Sequence, residues 1–168
     1  PFPFTSGTEL LAAIAMTFIL GPIEEFGWRG LALPLLQRRF VPILSALLLG
    51  GIWGIWHLPA FLLSGTPQSA WSFTPFLVGS VALSVMVTPL FNASRGSLLL
   101  PYLFHLQLIN PIWPDAQPYD IIFVVAVALV VVVLNRKTMF RKNRAVTQVI
   151  PSSVRLETPG DLTGGTRL

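Results

Sequence analysis

Cysteine is absent from the 168 residues, which excludes a disulfide framework and a thiol nucleophile. Charge is scarce: Asp, Glu, Lys and Arg make up 11% of the chain, against about 25% in a typical soluble domain. Histidine occurs only twice, at His57 and His105, so chemistry that needs an imidazole has few places to happen. No basic stretch precedes the first apolar run, which leaves no signal-peptide pattern. The chain opens on Pro1 without a methionine, which reads as a fragment or processed form and leaves room for further N-terminal spans. No internal repeat is visible, and no basic stripe alternates with aromatics, so nucleic acid is not an expected partner.

What is abundant is apolar surface. Hydrophobic residues supply 53% of the chain and the mean hydropathy is +0.70, the composition of an integral membrane protein. The length accommodates about five spans of ~20 residues. Apolar runs place them at about Glu9 to Leu36, Val41 to Leu63, Phe73 to Phe91, Ser97 to Ile109 and Ile121 to Leu134. The last, IIFVVAVALVVVVL, is rich in β-branched residues like a buried strand, but its length and the Asn135-Arg136-Lys137 stop favour a helix. The fold expected is all-α: a polytopic membrane helix bundle. Alternate loops carry Arg38 and Arg39, then Arg95, then Arg136, Lys137, Arg141, Lys142 and Arg144, whereas SGTPQSA and PIWPDAQPY carry no Lys or Arg. The positive-inside rule puts the basic loops and the C-terminus in the cytoplasm. Residues 1–143 form the transmembrane core, and 144–168, polar and rich in Pro, Ser, Gly and Thr, form a disordered cytoplasmic tail.

Against this background the stretch GPIEEFGWRG stands out, because Glu24, Glu25 and Arg29 fall at membrane depth. Each charge there costs about 2.5–3.5 kcal/mol on insertion scales. Glu25 and Arg29 are i, i+4 on a helix and share a face, so they can pair. Glu24 is rotated by about 100° from Glu25 and needs a partner from another helix. His57 lies in GGIWGIWHLPAF, where Gly50 and Gly54 make a small-xxx-small step and Pro59 introduces a kink. His105 lies in LLLPYLFHLQLINP, with Asn110 nearby. Such a set supports several chemistries: a carboxylate with an imidazole deprotonates water, an imidazole with an amide stabilises an oxyanion, and two histidines with a glutamate match an open zinc site.

Bland readings exist for each residue taken singly. Glu25–Arg29 reads as a structural ion pair, and a lone intramembrane histidine as an interhelical hydrogen-bonding group. Trp28, Trp53, Trp56, Trp71 and Trp113 read as packing residues or interface anchors. Their joint pattern carries the signal: both histidines and two glutamates fall inside apolar segments, where accidental scatter would place them in loops.

Three motifs in order then resemble a known family. Glu24-Glu25-x-x-x-Arg29 matches EExxxR; Trp53-x-x-x-His57, followed by LPAF, resembles FxxxH; His105 with Asn110 resembles HxxxN. Together they are similar to the CPBP (Abi) family of intramembrane proteases, which includes the CAAX prenyl endopeptidases acting after prenylation. The resemblance covers about Leu10 to Asn110. It implies a site between spans one, two and four, with Glu24 and His57 activating water, His105 and Asn110 stabilising the oxyanion, Glu25 and Arg29 bracing the site, and Trp53 in a binding position. It implies a peptide or membrane-protein substrate, prenylated in the CAAX case, within a bilayer, and roles in CAAX processing or in bacteriocin maturation and self-immunity at a bacterial plasma membrane. The alternative is a non-catalytic binding or immunity module on the same fold. The family is often called a metalloprotease; a metal-free glutamate mechanism is favoured here, and zinc or another divalent ion, if bound, would take Glu24, His57 and His105. Two departures stand out. Trp53 replaces phenylalanine, and Asn110 lies five positions after His105 instead of four, which turns it by about 140° rather than about 40° in a regular helix. Ile109 holds the motif's offset, and Asn110 precedes Pro111, which disfavours helical geometry there.

Overall fold

A computed structural model describes residues 6–109 and 119–148, and among these every regular element is helical. The long elements are α1 (Gly7–Leu20), α4 (Pro42–Trp56), α6 (Phe73–Ala93), α7 (Leu99–Leu108) and α8 (Tyr119–Leu134). Shorter ones are α2 (Glu24–Gly27), α3 (Leu33–Arg39), α5 (Leu58–Leu62) and α9 (Arg136–Met139). The valine-rich segment is the helix α8, not a strand.

The first span expected from sequence is not one regular helix. A 3₁₀ turn, Gly21–Ile23, joins α1 to α2, and a π turn, Trp28–Ala32, joins α2 to α3. Proline accounts for both irregularities. Pro22 and Pro34 have no N–H to donate, and a proline ring crowds the carbonyl four residues back. Ahead of Pro34 the ladder widens, and Leu33 N–H reaches back five residues to Trp28 O. The motif EEFGWRG therefore follows one backbone distortion and runs into the next, with Trp28, Arg29 and Gly30 in the π turn itself, in the manner of π-bulges at functional positions.

The second span breaks at His57. Pro59 cannot donate to Ile55 O, and His57 N–H bonds Gly54 O, three residues back. α4 and α5 together, Pro42–Leu62, and α6 are each 21 residues long and apolar enough to cross a membrane. The apolar stretches Gly7–Phe18, Leu99–Leu108 and Asp120–Leu134 are shorter; ten residues of helix rise only about 15 Å.

α4 lies against α6, and α6 against α8. Gly50 and Gly54 set the first contact: a β-carbon at Gly50 would stand 2.6 Å from Val81 Cα, and one at Gly54 2.6 Å from a Leu77 methyl. Buried Ala46, Ala82, Val85, Ala128 and Met139 fill the contact among α4, α6, α8 and α9, and Leu33, Leu49 and Phe91 pack a second cluster beneath α3. The outside is greasy: Leu62, Ile122, Phe123 and Leu134 each expose 70% or more of their surface. A soluble monomer rarely shows apolar patches of such extent, and lipid is the environment they fit.

A polar knot closes the bundle near the basic loops. Gln37, fully buried, donates to Asn92 Oδ1 and to Val146 O, both at 3.0 Å. Asn92 returns a 2.8 Å bond to Gln37 Oε1 and accepts Val146 N–H at 3.1 Å. Both main-chain groups of Val146 are thus satisfied, as a strand neighbour would satisfy them. Val146 lies within the segment expected as free tail; the part of that tail beyond Gln148 is outside the described residues.

Candidate active site

The two adjacent glutamates face different partners. Glu25 is 1% exposed, and its Oε1 accepts from Arg29 Nη1 at 2.7 Å and from His105 Nδ1 at 2.8 Å. The i, i+4 ion pair expected from spacing forms, and α7 adds the histidine. Arg29, also 1% exposed, lays its guanidinium over the Trp53 ring at 4.9 Å, which adds cation–π attraction to the ion pair. Glu25 Oε2 and Arg29 Nε and Nη2 are buried and make no hydrogen bond.

Glu24 is half-buried and has neutral partners. Its Oε2 accepts from the Trp28 indole at 3.2 Å and the Trp53 indole at 3.0 Å. The expectation that Glu24 must find its partner on another helix holds for Trp53 but misses Trp28, four residues along the same segment. Trp28 and Trp53 are more than packing anchors.

His57 caps α4 at the break before Pro59. Its Nδ1 lies 2.9 Å from Trp53 O. A carbonyl only accepts, so Nδ1 carries the hydrogen and Nε2 of the neutral ring is the acceptor. Trp56 and Phe76 flank the imidazole at 5.0 and 5.1 Å between ring centroids. Among the described residues no direct Glu24–His57 hydrogen bond forms; the two meet through Trp53, whose ring is 5.9 Å from His57 and 5.5 Å from His105. Asn110 lies outside the described residues, so its place relative to His105 is not part of this geometry.

A divalent ion fits this set poorly. Ligand atoms are not what the set lacks, since Glu24 Oε1 and the Nε2 of each histidine lie outside these hydrogen bonds; spacing is. Among the described residues no three His, Cys, Asp or Glu side chains stand close enough together to share an ion.

What the arrangement offers is a carboxylate and an imidazole joined through one tryptophan, beside a neutralised ionic cluster, between apolar helices. Residues 6–110 match the family model described as type II CAAX prenyl endopeptidase Rce1-like. The chain is also 25% identical over 150 residues to CAAX prenyl protease 2 of Methanococcus maripaludis, an alignment covering 83% of this chain and 55% of that protein. The chain thus spans little more than half the length of that relative. With the family model matched across the helices that carry Glu24, Glu25, Arg29, Trp53, His57 and His105, the chain belongs to the Rce1-like type II CAAX prenyl endopeptidase family.

Proposed function

We propose that this chain is an intramembrane endopeptidase that hydrolyses a peptide bond near the C-terminus of a prenylated protein. The observation that carries the proposal is that Glu24 and His57 both bond Trp53, one at its indole and the other at its carbonyl, which links a carboxylate and an imidazole through one residue. Family membership supplies the substrate class.

In this reading a water between Glu24 and His57 Nε2 gives up its proton to the pair as its oxygen attacks the scissile carbonyl. The C–N bond then breaks, and the same proton passes to the leaving amine. His105, with Nδ1 donating to Glu25, can donate from Nε2 to the developing oxyanion when the ring carries both protons. Asn110 is the amide proposed beside it. Glu25 and Arg29 hold the helices of the site in register. The bundle would cross the membrane about five times, with the basic loops and the C-terminus on the cytoplasmic side.

The test is cleavage of a farnesylated CAAX peptide by the purified protein in lipid, with the unprenylated peptide and Glu24→Gln as controls. Release of the C-terminal tripeptide from the prenylated peptide alone, lost in Glu24→Gln, is the expected result. A folded protein that cleaves neither peptide but retains the prenylated one would instead favour the non-catalytic binding module.

A further inference from the structure

Trp53 touches every charged or titratable side chain of the site except Glu25. Its indole N–H bonds Glu24 Oε2, its ring lies under Arg29 and beside His105, and its carbonyl takes His57 Nδ1. We propose that Trp53 is the positioning residue of the reaction, fixing by one rigid unit both the carboxylate and the imidazole that activate water. The proposal rests on the reading of Glu24 and His57 as that pair.

The physical case starts from the backbone. At the end of α4 the His57 N–H turns to Gly54 O, and the imidazole takes the Trp53 carbonyl. This fixes the ring's tautomer and its place relative to residue 53. The same residue then reaches across to the first span. With both indole donors on Oε2, the Glu24 carboxylate is oriented, and Oε1 is left outside both bonds. An indole N–H is a donor only, so it cannot compete with the carboxylate for a water proton. Two neutral N–H groups aim the Glu24 carboxylate without forming an ion pair with it. Phenylalanine, the residue of the FxxxH pattern, would fill most of the same volume but has no hydrogen to donate. In this chain the substitution therefore separates packing from positioning, and a catalytic group mispositioned by about 1 Å can lose about a hundredfold in rate.

The experiment compares wild type, Trp53→Phe and a protein carrying benzothienylalanine at position 53, which keeps the bicyclic shape and replaces N–H by sulfur. Steady-state cleavage of the farnesylated peptide, melting temperature and the ¹⁵N–¹H indole resonances are measured in lipid nanodiscs. A fall in kcat of about tenfold or more, with KM and melting temperature unchanged in the benzothienylalanine protein, is expected. The Trp53 indole resonance should also move in Glu24→Gln. Wild-type kcat in either donor-free protein overturns the positioning role and leaves the enzyme reading intact, and so does a Trp53 resonance indifferent to Glu24→Gln. A kcat loss that tracks a lowered melting temperature in both proteins makes Trp53 structural and overturns it equally. An inactive wild type sinks the enzyme reading, and the positioning role falls with it. If Trp53→Phe fails to fold, the benzothienylalanine protein and the wild-type resonance still decide.

Discussion

Glu24 and Glu25 are neighbours in sequence and opposites in surroundings. Glu25 is sealed in, with an arginine and a histidine on one oxygen. Glu24 is half-buried, with two indole N–H groups and, among the described residues, no cation in direct contact. A helix turns about 100° per residue, so adjacent side chains enter different environments, and the distorted backbone on both sides of the pair sets where each points. One carboxylate neutralises the arginine that membrane depth would otherwise make costly; the other is held by groups that leave its chemistry open. In the proposed mechanism, charge compensation and reactivity are divided between two consecutive positions.

The division can be broken by experiment. Glu24→Gln should lower kcat by about 10²–10⁴-fold, the usual contribution of general acid–base catalysis, while membrane yield and melting temperature stay at wild type; wild-type turnover would end the comparison. Glu25→Gln should act on folding first. It weakens the pairing of a fully buried arginine, and removing one partner of a buried pair costs about 3–5 kcal/mol, read as a lower melting temperature together with lost activity. Should both variants melt like wild type and both be inactive, Glu25 is a functional residue too and the two positions do not divide the work.

Smaller effects sharpen the contrast. Gln37→Ala strands uncharged groups, the Val146 carbonyl and the Asn92 side chain, so the cost should be about 1–3 kcal/mol, below that of Glu25→Gln, measured by the same melts. Ending the chain at Arg144 removes Val146 and should lower the melting temperature, whereas ending it at Gln148 preserves the knot and should not. Chelation should have the least effect. If the base is Glu24 with His57, o-phenanthroline leaves the cleavage rate unchanged and protein purified without added metal carries no stoichiometric zinc; loss of activity restored by zinc would put Glu24, His57 and His105 to a different use.

Local rules reached far into this molecule. Composition and apolar runs indicated a helical membrane protein, because a chain in lipid must satisfy its backbone within its own segments. The Glu25–Arg29 pair followed from i, i+4 spacing, and the Gly50–Gly54 step anticipated the close approach of α4 to α6. The Glu24–Trp28 bond had the same spacing and could have been read in the same way, had tryptophan been weighed as a donor as well as an anchor.

Other features have no local signature. Glu24 meets Trp53 across 29 positions, Glu25 meets His105 across 80, and Gln37 holds Val146 across 109. Spacing along one helix fixes which residues share a face, but not which face of which neighbour arrives there. That is set by where small residues let backbones approach and where prolines break the ladder. The sequence therefore contained the list of buried polar groups, and packing decided their partners: His105 for the buried carboxylate, tryptophan for the open one.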